Sequence, residues 1–168
     1  MSQAGKLRFL LMLGTACCTG AAAADLPKEG TFADTFYGFE SVKGTGVGKA
    51  WYGNTLELDA IVIGNGLRTH MTAHCYGMGE RIGDKRSSRA RCIYNDPDGD
   101  KIVVDQIVDP FPRDAKDIQG HGSFIAGTGK YDGIAGEIKF TCHGGVFRPA
   151  ADNTFVVDCP TEGSYKLP

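Results

Sequence analysis

The chain has no surplus of positive charge, one tryptophan, four histidines and little apolar sequence in long runs. Each shortage excludes something. With 18 Lys+Arg against 20 Asp+Glu the net charge is −2, and a general nucleic-acid binder carries a basic footprint instead. A membrane-spanning helix needs about 20 apolar residues. The run Phe9 to Ala16 falls short of that, and nothing later is longer, so no transmembrane segment is expected. Phosphate loops are missing too. Gly122 and Gly127 have P-loop spacing, but Thr128 and Gly129 follow them where Lys-Ser/Thr is needed. Gly127 and Gly129 begin a dinucleotide fingerprint that fails at Asp132. Ser123 lacks the downstream glycine of a nucleophile elbow. Ser123 can be combined on paper with His121 or His70 and an aspartate, as in nearly any chain this size. No cofactor is expected.

Glycine and alternation are abundant. The chain has 24 glycines, too many for helices and suited to many turns. The stretch Gly127 to Cys142 sets the pattern. Gly127, Gly129, Gly133 and Gly136, with Tyr131 among them, make a tight turn. Then Ile138, Phe140 and Cys142 alternate with Glu137, Lys139 and Thr141. A period of two marks a half-buried strand. The same logic predicts a first strand over Thr35 to Gly48, a turn at Gly53-Asn54 and a strand over Leu56 to Ile63. A turn at Gly64-Asn65-Gly66 should lead into a strand over Leu67 to Tyr76. Asn95 to Asp100 should close a hairpin between Arg91–Tyr94 and Ile102–Val108. Asp109 to Gln119, with two prolines and four charges between Arg113 and Asp117, reads as a polar loop. Ser123 to Ala126 and Thr154 to Asp158 read as further strands.

Residues 1–24 read as an export signal. Lys6 and Arg8 precede the apolar run, and Ala22-Ala23-Ala24 stands before Asp25 as a cleavage site. Lipidation at Cys17 is the alternative, although Gly14 stands where a lipobox has a larger aliphatic residue. The remainder, 25–168, is expected to be one domain in the periplasm or outside the cell. It keeps Cys75, Cys92, Cys142 and Cys159, an even number that reads as disulfides in an exported chain. Of three connectivities, equal spacings of 17 residues favour Cys75–Cys92 and Cys142–Cys159.

Candidate sites are few. His70 and His74 on one strand face would lie about 13 Å apart, too far to share a metal. Arg81, Lys85 and Arg86 form a candidate anion patch, read against a solvated loop and outer strand face. Asp96, Asp98 and Asp100 match positions 1, 3 and 5 of a calcium loop. Lys101 stands where glycine belongs and Ile107 where glutamate belongs. That stretch therefore reads first as a hairpin turn, and only second as a calcium site.

The stretch Gly-Thr-Gly-Lys-Tyr-x-Gly-Ile-x-Gly at 127–136 resembles allene oxide cyclase-like and dirigent-like small β-barrels. It is closer still to a group of exported bacterial proteins of unassigned role, which the turn 96–100 and the terminal 163–168 also resemble. The resemblance spans about residues 30–168 and rests on turn motifs. It implies an all-β fold, a single antiparallel barrel of about eight strands, calycin-like or allene oxide cyclase-like. It transfers no active-site residue. Three functions follow as expectations. The first is a non-catalytic binder of a small apolar ligand. The second is an interaction module or inhibitor for an envelope protein, acting through loops 80–91 and 109–119. The third is a cyclase or isomerase, with Glu57 or His70 as its polar group.

Overall fold

The structure is a computed structural model that describes residues 26–48, 50–112, 114–143, 148–151 and 153–168. Residues 1–24, read above as an export signal with Cys17 among them, lie outside the described residues. The described residues form nine strands: β1 Glu29–Val47, β2 Trp51–Asn65, β3 Thr72–Ile82, β4 Lys85–Asn95, β5 Lys101–Pro112, β6 Ile118–Gly127, β7 Ala135–Cys142, β8 Arg148–Ala151 and β9 Thr154–Lys166. Each pairs antiparallel with its neighbour in sequence through β7, which pairs with β9. β9 then pairs with β1, from Glu29 opposite Lys166 to Ser41 opposite Thr154. That contact closes an eight-strand barrel. β8 lies beside the start of β9, beyond the end of β7.

The pleat sends alternate residues inward. On β1 these are Phe32, Asp34 and Phe36; on β2 Leu56, Leu58, Ala60 and Val62; on β7 Ile138, Phe140 and Cys142. Glu137 and Lys139 face outward, as the alternation requires. Both disulfides join opposed positions on neighbouring strands. Cys75 pairs with Cys92 between β3 and β4, and Cys142 with Cys159 between β7 and β9. Two disulfides fit a compartment outside the cytoplasm. Among the described residues no helix is long and apolar enough to cross a membrane.

The organising turn is as expected in kind. β6 ends at Gly127, a single 3-10 turn covers Gly129–Tyr131, and β7 follows. Gly129 has φ 55°, and a Cβ there would overlap the Asp100 carboxylate. Only glycine meets both demands. Tyr131 and Ile134 tuck under the barrel and join its core.

Four sequence expectations need correction. Gly53-Asn54 is no turn; it lies inside β2, opposite Glu80 and Gly79. The first strand begins at Glu29, six residues before Thr35. Asp109 to Pro112 extends β5, and Ile118 already belongs to β6, so the polar loop is shorter than expected. The largest difference is Leu67 to Met71, which forms a turn and not a strand. His70, at φ 63°, donates its N–H to Val62 O at 3.2 Å, and Met71 donates to Arg68 O at 3.1 Å. The turn drives Leu67, Arg68 and Met71 into the barrel end. The apolar spacing resembled a strand because a plug also needs apolar residues at short intervals.

Candidate binding site in the barrel lumen

The two ends of the barrel differ. One end is filled. Leu67, Met71, Tyr131, Ile134 and Leu167 pack there into the same core as Phe32 and Tyr94. Within this plug Arg68 donates Nε to Asp34 Oδ2 at 3.0 Å and Nη2 to Asp34 Oδ1 at 2.5 Å. Its guanidinium also lies 4.8 Å from the Tyr94 ring centre and 5.1 Å from that of Phe32. A buried cation without such company would be very costly. The plug thus seals one end with a paired charge and aromatic rings.

Above the plug the barrel is hollow. A cavity of about 840 Å³ opens at the end carrying the β3–β4 hairpin. That falls within the range of small-molecule sites, about 300–1,000 Å³. An eight-strand barrel is the size that holds one small ligand. Phe36, Leu58, Phe140 and Val157 line its apolar walls, and both disulfides border it. Tyr94 and Gln106 put polar atoms among them; Gln106 Nε2 donates to Tyr94 Oη at 2.9 Å.

Glu40 lines the same cavity. It makes no hydrogen bond or ion pair among the described residues. Burial pushes its carboxyl up to about 7, because the charged form loses hydration and gains no partner. A neutral carboxyl in an apolar lumen is a hydrogen-bond donor as well as an acceptor.

The candidate anion patch divides. Arg81 and Arg86 stand directly opposite one another on β3 and β4, and both line the cavity mouth. Lys85 is exposed at the hairpin end, opposite Ile82. Of the stretch read as a solvated loop and outer strand face, Arg89 and Arg91 do face outward beside Asp105, whereas Arg81 and Arg86 turn to the cavity mouth. A signal for this existed. Arg81 lies an even number of residues from Cys75, as Arg86 does from Cys92, so each shares the face of a buried cysteine. Even spacing from Phe36 marks Glu40 in the same way.

Other candidates lie elsewhere. Glu57 is exposed on the outer face of β2, and His70 is exposed in the plug turn, so neither supplies the lumen with an acid or base. His74 faces outward beside Asp59, with Nδ1 2.8 Å from Oδ1. The Asp96–Asp100 turn is bound to the organising turn. Asp96 Oδ1 accepts the N–H groups of Asp98 and Asp100 at 2.9 Å each. Lys130 Nζ sits 2.6 Å from Asp96 Oδ2 and 2.6 Å from Asp98 Oδ2. Tyr131 Oη donates to Asp96 Oδ2 at 3.2 Å. An ammonium occupies the centre that the calcium reading assigned to a metal. Among the described residues no cluster of three metal-ligating side chains occurs.

Scanned against protein-family models and searched against curated proteins, the chain gives no match.

Proposed function

We propose that the chain is an exported barrel of the allene oxide cyclase-like kind that holds one small, largely apolar molecule in its lumen without transforming it. It would act in the periplasm or outside the cell. The observation that carries this reading is the blind cavity of about 840 Å³, plugged below and open above, with apolar walls. A structural core alone would fill that space, since interiors pack with few voids larger than a water. Native mass spectrometry of protein purified from its own exported fraction tests it. A discrete small-molecule adduct on the disulfide-bonded chain is expected. An adduct-free chain that also takes up no apolar probe would refute the reading.

One observation favours a second reading, an enzyme of cyclase or isomerase type. Glu40 is a lone carboxyl held near neutrality inside the lumen, the state suited to a general acid. Glu40→Gln keeps the shape of the lumen and removes the proton donor. If an adduct recovered from the wild type differs in structure from the one recovered from this variant, the lumen is catalytic. An identical adduct from both supports a carrier.

A further inference from the structure

We propose that Glu40 sets the ligand specificity of the lumen, by donating a hydrogen bond from its carboxyl to the carbonyl oxygen of an uncharged, otherwise apolar ligand. This rests on the lumen being a ligand site and names the class of ligand.

Glu40 stands in one cross-strand row with Phe155, Leu58, Cys75 and Cys92. All five border the cavity, and the other four are apolar. A polar group in such surroundings is costly unless a partner reaches it. The lumen has a second polar point. β5 lies four strands from β1 in the closed ring of eight, so Gln106 belongs to the opposite wall. One N–H of Gln106 goes to Tyr94 Oη, and the amide carries a second. Two facing walls therefore offer donors to one ligand.

The charge state of Glu40 selects the ligand group. Burial raises its carboxyl from 4.5 to about 7, so below that pH it carries the proton that a carbonyl accepts. Of the other titratable side chains along the cavity, Tyr52 on β2 and Tyr94 on β4 are phenols. Glu80, Arg81, Asp84 and Arg86 belong to the β3–β4 hairpin at the mouth. Among the described residues β9 adds no titratable group to the wall beside Glu40. A ligand carboxylate beside Glu40 would meet a second acid and lose its hydration. A ligand ammonium would put two ions into the lumen, and their desolvation offsets their attraction. A carbonyl brings no charge and no donor of its own.

Displacement of the fluorescent apolar probe N-phenyl-1-naphthylamine from the disulfide-intact protein tests this, with 2-nonanone, 1-nonene and nonylamine as competitors. At about pH 5.5, below the Glu40 value, the affinity of 2-nonanone relative to that of 1-nonene should be roughly three- to tenfold higher in the wild type than in Glu40→Leu. At about pH 8.5 the wild-type ratio should fall towards that of Glu40→Leu, because a carboxylate cannot donate. Glu40→Gln, whose amide donates at every pH, should keep one ratio throughout. If Glu40→Leu does not fold, the pH dependence of the wild type set against that of Glu40→Gln still decides. A ratio that is the same in wild type and Glu40→Leu, or that does not move with pH in the wild type, overturns the carbonyl site and leaves the lumen reading standing. If at about pH 5.5 Glu40→Leu weakens nonylamine more than 2-nonanone, Glu40 is a countercharge and the choice of a carbonyl is overturned. Failure of the probe and all three competitors to bind overturns both the site and the lumen reading.

Discussion

Arg68 and Asp34 form a bidentate ion pair at the sealed end of the barrel, and each side chain is 1% exposed. They are 34 residues apart, one on the plug turn and one on β1. Asp34→Ala leaves a cation in the core. A loss of about 3–5 kcal/mol is expected by urea titration. Asp34→Leu combined with Arg68→Met removes both charges and should recover most of that loss. If the double variant is as unstable as the single one, the pair is not what holds the plug.

The disulfides should act as independent staples across strand pairs. Replacing Cys75 and Cys92 together by alanine should lower stability by about 3 kcal/mol on the loop-closure account. The same holds for Cys142 and Cys159. Each change also enlarges the lumen, because both bridges border it. Thermal unfolding with and without reductant measures the effect, and an unchanged midpoint on reduction would count against it.

Glu40 should make stability fall with rising pH. Its carboxyl is raised in the folded state from 4.5 to about 7. Between these values the folded chain keeps a proton that the unfolded chain has lost. Unfolding is therefore favoured as pH rises, and the loss is complete above about 7. It amounts to roughly 3 kcal/mol. Glu40→Gln should abolish this slope and be the more stable protein at pH 8. Parallel pH profiles for the two proteins would sink the assignment.

Lys130 should matter on the acid side. Burial raises the Asp96 carboxyl, but hydrogen bonds from Lys130 and from the Asp100 N–H outweigh it and hold it below its ordinary value. A depressed carboxyl stabilises the fold above its unfolded pKa of 3.8, and that contribution is lost as pH falls through the folded value. Lys130→Met should cost roughly 1 kcal/mol at neutral pH, discounted for the partial exposure of the ammonium. It should also flatten the acid limb of the stability curve.

Gly129→Ala probes the same corner by steric means. The residue needs a left-handed backbone and has the Asp100 carboxylate where a Cβ would go. A loss of about 1–3 kcal/mol is expected. Hydrogen exchange should show opening confined to the 96–100 and 127–135 turns, and uniform loss across the barrel would contradict a local role.

What could be read from the sequence was what is decided locally. Gly127 to Cys142 was legible because its glycines and its alternation lie side by side. The cysteine pairing was legible because each bridge spans one hairpin or one short excursion. Arg68 was not legible, since its burial depends on a partner on another strand and a basic residue normally faces water. The inward placement of Arg81 and Arg86 was not legible for a related reason. Alternation separates two faces of a strand but does not say which is inside until a buried neighbour fixes it. Cys75 and Cys92 would have fixed it. The lumen itself had no local signature. It exists because inward residues fill one half of the barrel and leave the other half open.

The pairing of β1 with β9 also governs how the chain reaches its shape. These are the first and last described strands, and no edge is protected until they meet. Nearly all of the intervening strands must be in place before that ring closure is rewarded, which makes for slow folding. A chain emerging from its N-terminus as it is synthesised would carry β1 with an open edge until β9 follows. During that interval Phe32 and Phe36 would be on offer to any other strand or apolar surface. Exposure time before closure, more than the stability of the finished barrel, would then set the yield of this protein.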